Sequence, residues 1–302
     1  MIATPPARPP RLAVIADRRY LAQTMPGVLI DALTRRGVQP EAVCADECRF
    51  DPNTGVVETP DRTTCLAEYD GVVARTRHGL GLVMLAYAEA HGVPTINSYA
   101  ATERIRNKAG MAVLLSRAGL QAAFTVLAPD VSSLRGIPRE RFPLILKPTF
   151  GDNSRGLLLV REPAELMEID WREDLVLVQS YLPNDGYDLK LYVCGADVFA
   201  VRKPSPFNDD PAALPHRVEA DAAMVDLARR CGAAFGLDIY GVDTIQTPDG
   251  LVVIEVNEFP NFSGLDEAPE RLAEYVLERV GARAQGGLKP DAHRIPAAAV
   301  AA

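Results

Sequence analysis

The chain has 302 residues, of which 48% are hydrophobic and 24% are charged, a composition typical of a globular protein with two or three packed subdomains. A formal net charge of -8 and a pI near 5.2 argue against a nucleic-acid-binding surface. Five irregularly spaced cysteines, with neither a signal peptide nor an apolar run of membrane-spanning length, predict a reduced cytoplasmic protein.

The first hundred residues predict strands that alternate with helices. Three short apolar runs are typical of strands: residues 12–16, 71–74 and 93–96. Two helical patterns lie between them: residues 21–36 and 82–90. This alternation predicts a parallel α/β sheet. Residues 99–118 then predict one or two helices that end at Gly119.

After Gly119 the pattern becomes rich in strands. Seven runs are typical of strands: residues 143–147, 156–160, 175–179, 189–193, 198–202, 241–246 and 251–256. Helices are predicted at residues 163–170 and 220–235. The turn Pro248-Asp249-Gly250 favours a hairpin between the last two strands. The back half is therefore predicted to be α+β.

The last predicted hairpin carries a candidate metal site. Glu255 and Asn257 are two residues apart on one strand and project to the same face. Asp243 lies on the partner strand and can face the same space. Carboxylate and amide oxygens are ligands that Mg²⁺ accepts. A solvated strand face is the alternative, but apolar residues surround these acids and unpaired buried carboxylates are costly.

A lysine followed by a glycine-rich turn is the second candidate. Lys147 ends a predicted strand, and residues 151–156 (GDNSRG) join it to the next strand. Such a loop can direct backbone N–H groups at phosphate oxygens while the lysine supplies charge. The spacing matches neither a Walker nor a Rossmann motif, so an ordinary β-turn remains open.

Further cations follow in the strand-rich half. Lys190, Arg202 and Lys203 are suited to a triphosphate and an anionic substrate. Asp188 shares a strand face with Lys190. His78, close after a strand end in the α/β half, is a weaker candidate, and a solvated loop is equally consistent with its position.

The order of these features resembles the ATP-grasp superfamily from residue 11 to about residue 282. The motifs that carry the resemblance are Gly92-Val93-Pro94-Thr95-Ile96-Asn97-Ser98, Lys108, Ala118-Gly119, Gly241-Val242-Asp243 and Glu255-Val256-Asn257. They are most similar to RimK-like carboxylate–amine ligases. The resemblance implies an ATP-grasp fold behind an N-terminal parallel α/β domain.

The resemblance also implies a role for each candidate residue. Lys108 and Lys147 are implied to contact phosphates. The loop that contains Gly151, Asn153, Ser154 and Gly156 is implied to close over the triphosphate. The implied adenine contacts are the backbone of Gln179, Ser180, Tyr181 and Leu182. Asp188 would hold the ribose. Two magnesium ions would be bound by Asp243, Glu255 and Asn257, and Mn²⁺ could substitute for Mg²⁺. Lys190 and Arg202 are implied as the catalytic cations.

The implied chemistry is amide or peptide bond formation from a small-molecule or peptide carboxylate and an amine. ATP would convert the carboxylate to an acylphosphate, and the amine would then displace phosphate. Expected substrate contacts are Arg18, Arg75, Arg77 and Asn208. Enzymes of this kind are commonly homodimers or homotetramers, and no nucleic-acid or membrane partner is expected.

Two other functions remain open from the sequence. Residues 258–264 (EFPNFSG) and 202–205 (RKPS) also resemble inositol trisphosphate kinases, which share the fold and phosphorylate a hydroxyl group. A non-catalytic ATP-binding module would lack a metal ligand or a phosphate-binding lysine, and no such loss is present. The ligase function is favoured over the kinase function. The chain has few basic residues, and a highly phosphorylated substrate would require more of them.

The domain boundaries follow from the resemblance and the pattern of elements. Residues 1–10 are expected to be a flexible lead-in and residues 285–302 a disordered tail. Between them we expect three domains: an N-terminal α/β domain at 11–98, a central ATP-grasp subdomain at 99–178 and a C-terminal subdomain with the metal site at 179–284.

Overall fold

The computed structural model describes residues 8–150, 156–208, 210 and 212–284. The chain divides into two compact units, one formed by residues 1–102 and 259–302 and the other by residues 103–258. The predicted tail at 285–302 and most of the predicted lead-in lie outside the described residues. The subdomain boundaries at 98/99 and 178/179 stay predictions.

The first unit is built on a parallel sheet. Its four strands are β1 (Arg11–Ala16), β2 (Gln39–Cys44), β6 (Gly71–Arg75) and β7 (Thr95–Ile96), in the order β2-β1-β6-β7. The helices are α1 (Arg18–Leu21), α2 (Thr24–Arg35) and α3 (Gly79–Ala90). Residues 12–16 of β1 are fully buried, as expected for a parallel strand covered on both faces. The predicted parallel α/β sheet is confirmed.

Two additions complete this unit. A small antiparallel sheet consists of β3 (Arg49–Phe50), β4 (Val56–Glu58) and β5 (Thr63–Cys65). The helix α7 (Ala268–Ala284) returns from the far end of the chain and packs against α2. Neither addition was predicted from the sequence.

The second unit begins with two helices and an antiparallel sheet. The helices are α4 (Tyr99–Arg106), which starts just before the unit boundary, and α5 (Lys108–Arg117). The strands are β8 (Thr125–Ala128), β9 (Leu144–Lys147), β10 (Leu158–Val160) and β11 (Val176–Ser180), in the order β10-β9-β11-β8. One face of this sheet packs on short 3₁₀ turns at residues 131–134 and 163–168, and the opposite face carries Lys147 and Gln179.

A five-stranded antiparallel sheet follows. Its strands are β12 (Tyr187–Cys194), β13 (Asp197–Pro204), β14 (His216–Val218), β15 (Ile239–Thr247) and β16 (Gly250–Glu258), in the order β14-β13-β12-β15-β16. The helix α6 (Ala222–Phe235) packs on it, and the buried Tyr240 hydroxyl donates a hydrogen bond of 2.7 Å to the Ala228 carbonyl. The hairpin predicted at Pro248-Asp249-Gly250 is confirmed.

Within the part of the chain that the structure describes, no helix is long and apolar enough to span a bilayer.

Candidate functional site

The three predicted metal ligands lie side by side on the β15–β16 hairpin. Asp243 pairs directly with Glu255, and Gly241 pairs with Asn257, so these side chains project from one face of the sheet. The Asn257 amide nitrogen donates to the Asp243 carboxylate at 3.3 Å. Among the residues with described positions, no three His, Cys, Asp or Glu side chains form a metal cluster. The candidate set is therefore two carboxylates and one amide.

Each carboxylate of the set contacts a lysine. Lys108, the first residue of α5, places its Nζ 2.7 Å from Glu255 Oε1. Lys190 pairs with Asp243 in the strand register and forms an ion pair with it. Burial lowers the pKa of Lys190, but the attraction and hydrogen bond of Asp243 outweigh burial, so this pKa is raised overall. Lys190 therefore stays charged.

Lys147 stands apart from these ion pairs. It is 5% exposed, and its ammonium group donates to the side chain of Gln179 on the neighbouring strand. Burial lowers its pKa, the negative charge of Glu255 opposes this effect, and the positive charge of Lys108 adds to it, so the pKa is lowered overall. A cation that is buried without a carboxylate hydrogen-bond partner is suited to an anionic ligand.

The strand register separates Arg202 from the other cations. Arg202 pairs with Leu189 and projects from the opposite face, where it forms an ion pair with Asp185. Lys203 pairs with Asp188 and so shares the face of Lys190. Burial and the nearby Lys190 lower the pKa of Lys203. Lys203 was named with the other cations in the sequence but not singled out as catalytic.

Asp188 lies on this same face and is partly buried. Burial raises the pKa of its carboxyl group, and the nearby Asp243 raises it further, against the opposing effect of Lys190. The amide nitrogen of Asn184 donates to Asp188 Oδ1 at 3.1 Å. The carboxylate is thus held in one orientation.

A cavity of about 660 Å³ opens beside these groups. Ten of its 17 lining residues are apolar, and they come from α5, the segment between α5 and β8, β8, β11 and Ile254. Lys108, Lys147, Gln179 and Glu255 line it as well. An apolar cavity with charged groups can accept a flat base with an anionic extension.

The segment predicted to contact adenine, residues 179–182, uses some of its backbone groups in hydrogen bonds within the protein. The N–H groups of Ser180 and Tyr181 donate to the carbonyls of Phe124 and Pro143, at 2.9 and 3.0 Å. These two N–H groups are therefore already hydrogen-bonded within the protein.

The glycine-rich loop is described at one end only. The predicted residues Gly151, Asn153 and Ser154 lie outside the described residues. Gly156 has a φ of +75°, and a Cβ at this position would lie 2.8 Å from Cγ of Pro148. The glycine is therefore required both by its backbone conformation and by its close contact.

Two of the expected substrate contacts in the first unit take part in internal interactions. Arg75 is buried, donates to the Met25 carbonyl and to Gln23 Oε1, and lies 4.6 Å from the Tyr20 ring centroid. Arg18 forms an ion pair with Glu47. Arg75 therefore holds the α1–α2 segment in place.

The loop after β6 is organised by a buried carboxylate. Asp17 accepts hydrogen bonds from the Thr76 hydroxyl and from the backbone N–H groups of Arg77 and His78. The ring of His78 accepts from the N–H of Leu80 and caps α3. His78 thus has a structural role, whereas Arg77 is fixed here through its backbone.

Asn208, the remaining expected substrate contact, lies in the second unit. Its amide nitrogen donates to the Gly186 carbonyl at 2.6 Å. This contact joins two loops of the five-stranded sheet.

Comparison with known proteins decides the family. Residues 105–273 match the family described as the RimK-like ATP-grasp domain, which is more than half of the chain. The chain belongs to the RimK-like ATP-grasp family. The resemblance drawn from the sequence motifs is thereby confirmed.

Two relatives of this RimK-like chain are named probable α-L-glutamate ligases. The protein from Haemophilus influenzae is 29% identical over 232 residues, covering 70% of this chain and 76% of that protein. The one from Serratia proteamaculans is 27% identical over 277 residues, covering 83% and 91%. These relatives support ATP-dependent carboxylate–amine ligation and do not favour the kinase alternative.

Solved structures share the ATP-grasp fold with this RimK-like chain. A RimK-domain ATP-grasp protein from Sphaerobacter thermophilus has a TM-score of 0.68 at 21% identity, covering 88% of this chain and 99% of that one. The macrocyclase MdnC of Microcystis aeruginosa, solved with its precursor peptide MdnA, has a TM-score of 0.70 at 15% identity, with coverage of 88% and 99%. The ligase PsnB, solved with a minimal precursor, Mg and ADP, has a TM-score of 0.67 at 18% identity, covering 89% and 98%. The predicted fold class is confirmed.

Proposed function

We propose that this protein is an ATP-dependent carboxylate–amine ligase that forms an amide or peptide bond and releases ADP and phosphate. The observation that carries the proposal is the polar face of the five-stranded sheet. There Asp243, Glu255 and Asn257 lie together, and the lysines Lys108 and Lys190 contact the two carboxylates.

The donor set fits magnesium. Asp243, Glu255 and Asn257 offer hard oxygen donors on neighbouring strand positions. Lys108 and Lys190 lie against these carboxylates and could balance phosphate charge beside bound ions. We assign these residues to two Mg²⁺ ions, with Mn²⁺ as a substitute. When bound, the ions would offset the negative charge of the triphosphate.

The nucleotide would lie across the same region. The 660 Å³ cavity suits the base. Lys108 and Lys147 would contact phosphate oxygens, because both lie at this cavity and Lys147 is a buried cation in need of an anion. Asp188 would accept hydrogen bonds from the ribose hydroxyls. Residues 151–156 would close over the phosphates.

The chemistry proceeds in two steps. A substrate carboxylate oxygen attacks the γ-phosphorus, the bond to the ADP oxygen breaks, and an acylphosphate forms. The amine nitrogen then attacks the acyl carbon, phosphate leaves, and the amide remains after loss of a proton. Lys190 and Lys203 place positive charge where the phosphoryl group is transferred. We assign Lys203 the role that the sequence predicted for Arg202, because Arg202 projects from the other face.

The substrate classes are a carboxylate from a small molecule or peptide and an amine. The names of the relatives make L-glutamate the first amine to test. The peptide complexes of MdnC and PsnB support a peptide as the carboxylate partner. Arg18 and Arg77 remain the proposed substrate contacts. We further propose a cytoplasmic location and a homodimer or homotetramer.

The test is turnover of ATP and Mg²⁺ with L-glutamate, other amino acids and short peptides, read by mass spectrometry with hydroxylamine as a trap. A hydroxamate, or a new amide formed together with ADP and phosphate, is expected. A product heavier by one phosphoryl group, with ADP and no free phosphate, would instead make the protein a kinase.

A further inference from the structure

Two loops of the five-stranded sheet meet at one backbone carbonyl. The first loop joins β11 to β12 and contains Gly186, and the second follows β13 and contains Ser205 and Asn208. The N–H of Ser205 donates to the Gly186 carbonyl at 2.9 Å, and the amide nitrogen of Asn208 donates to the same oxygen at 2.6 Å. The position of Gly186 is therefore set from the second loop.

The Asn208 amide is fixed at both ends. Its Oδ1 accepts from the N–H of Asp210 at 2.7 Å, while its Nδ2 donates to Gly186. The backbone N–H of Asn208 also donates to the Ser205 carbonyl at 3.0 Å. These contacts determine which end of the amide is the donor and leave it one orientation.

From Gly186 the hydrogen bonds continue to Asp188. The N–H of Gly186 donates to Oδ1 of Asn184 at 3.0 Å, and Nδ2 of Asn184 donates to Oδ1 of Asp188 at 3.1 Å. The second asparagine is thus also engaged at both ends. Three hydrogen bonds, joined through the backbone of Gly186, therefore connect Asn208 to the Asp188 carboxylate.

The backbone at Gly186 makes this arrangement specific. Its φ is +88°, a conformation that favours glycine, and a Cβ at this position would lie 3.0 Å from Nδ2 of Asn208. A side chain there would push the Asn208 amide away from the carbonyl. The close approach of the two loops depends on the missing Cβ.

Arg202 adds a second connection to the same loop. It forms an ion pair with Asp185 and lies 4.9 Å from the Tyr187 ring centroid. The hydrogen bond from Arg202 lowers the pKa of Asp185, so the pair remains charged near neutral pH. Asp185 and Tyr187, the two residues next to Gly186, are therefore both contacted by Arg202 of β13.

We propose, on the basis of the ligase function above, that Asn208 is a positioning residue for the nucleotide. Through Gly186 and Asn184 it orients the Asp188 carboxylate toward the ribose hydroxyls. Asn208 itself does not contact the reacting atoms. Its effect appears as a preference for nucleotides that carry these hydroxyls.

The test measures dissociation constants for ATP and for 2′,3′-dideoxy-ATP by calorimetry with Mg²⁺ present. The wild-type chain should bind ATP about tenfold more tightly than the dideoxy nucleotide, from the hydrogen bonds to a carboxylate. Asn208→Ala should reduce that ratio about threefold or more, while binding of the dideoxy nucleotide stays unchanged. Asp188→Asn should reduce it at least as far, and the double variant no further, because both act on one carboxylate.

Two further variants serve as controls. Asn208→Asp keeps the size of the side chain but loses the donor to Gly186, and it should match Asn208→Ala. Asn53→Ala removes an exposed asparagine whose amide contacts Asp51 in the first unit, and it should leave the ratio unchanged. Thermal melts establish that each variant is folded.

Three results would overturn the positioning role. If Asp188→Asn loses the preference for ATP but both Asn208 variants keep it, the ligase proposal stands and the role of Asn208 fails. If Asn208→Ala weakens both nucleotides equally, its role is only structural. If the wild-type chain binds neither nucleotide, the proposed function itself fails, and the role of Asn208 with it.

Discussion

Replacing Glu255 with glutamine separates the chemistry of the site from its stability. The substitution keeps the shape of the side chain and removes its charge. In the folded protein Lys108 loses a partner at 2.7 Å, which costs about 1–3 kcal/mol for a pair whose side chains are only 10% and 20% exposed. Glu255 also lies opposite Asp243, and two carboxylates about 5 Å apart repel by roughly 3 kcal/mol at an effective dielectric constant near 20.

These two effects oppose each other, so the unfolding free energy should change by no more than about 2 kcal/mol. Turnover should fall by at least about 10²-fold, since the variant loses charge that would hold the metal and the triphosphate. Urea denaturation gives the stability, and ADP release during a Mg²⁺ titration gives the activity.

The matched control is Glu274→Gln, which removes a carboxylate that is half exposed and paired with Arg271. We expect it to retain wild-type turnover and nearly wild-type stability. A folded Glu255→Gln protein with turnover within about threefold of wild type would refute the assignment of Glu255 to the metal site.

Three other substitutions probe the site and its loop. Burial lowers the pKa of Lys147, so the unfolded chain binds this proton more tightly and the unfolding free energy should rise with pH up to the ordinary lysine pKa of about 10.4. Lys147→Met should flatten that rise in urea titrations as the pH approaches about 10 and abolish ATP binding; an unchanged slope would contradict the lowered pKa of Lys147. Gly156→Ala should lower the unfolding free energy, measured by urea denaturation, by about 1–2 kcal/mol more than Gly119→Ala does. Both glycines have positive φ, but of the two only Gly156 has a neighbour within 4 Å of the added Cβ, namely Pro148. Equal losses of unfolding free energy would refute the steric argument. Lys203→Met should lower kcat about tenfold or more at saturating ATP, and an unchanged kcat would exclude Lys203 from phosphoryl transfer.

The sequence predicted that Asp243, Glu255 and Asn257 share one face of the sheet because its signals are local. A spacing of two residues places Glu255 and Asn257 on one face, and the Pro248-Asp249-Gly250 turn brings Asp243 opposite them. The choice between Arg202 and Lys203 depends on which residue of β13 pairs with Asp188. Neighbouring residues of a strand face opposite sides, and that register is not encoded within the strand itself.

The elements that sequence reasoning missed differ in how much signal they carry. The edge strand β2 contains Pro40 and Glu41 and lacks an apolar run, so only its pairing with β1 identifies it. The helix α7 does carry a signal, since Leu272, Val276 and Val280 recur every four residues and are buried. Its place against α2 could not be predicted, because that contact joins distant parts of the chain.

The return of α7 to the first unit has a consequence for the order in which the two units can be completed during synthesis. The ribosome completes residues 103–258 before it has made α7, so the second unit can close its own core while the first still lacks a helix. Until then the surface of α2 that packs on α7 lacks this contact. The first unit, although it begins the polypeptide, is therefore the last to be completed.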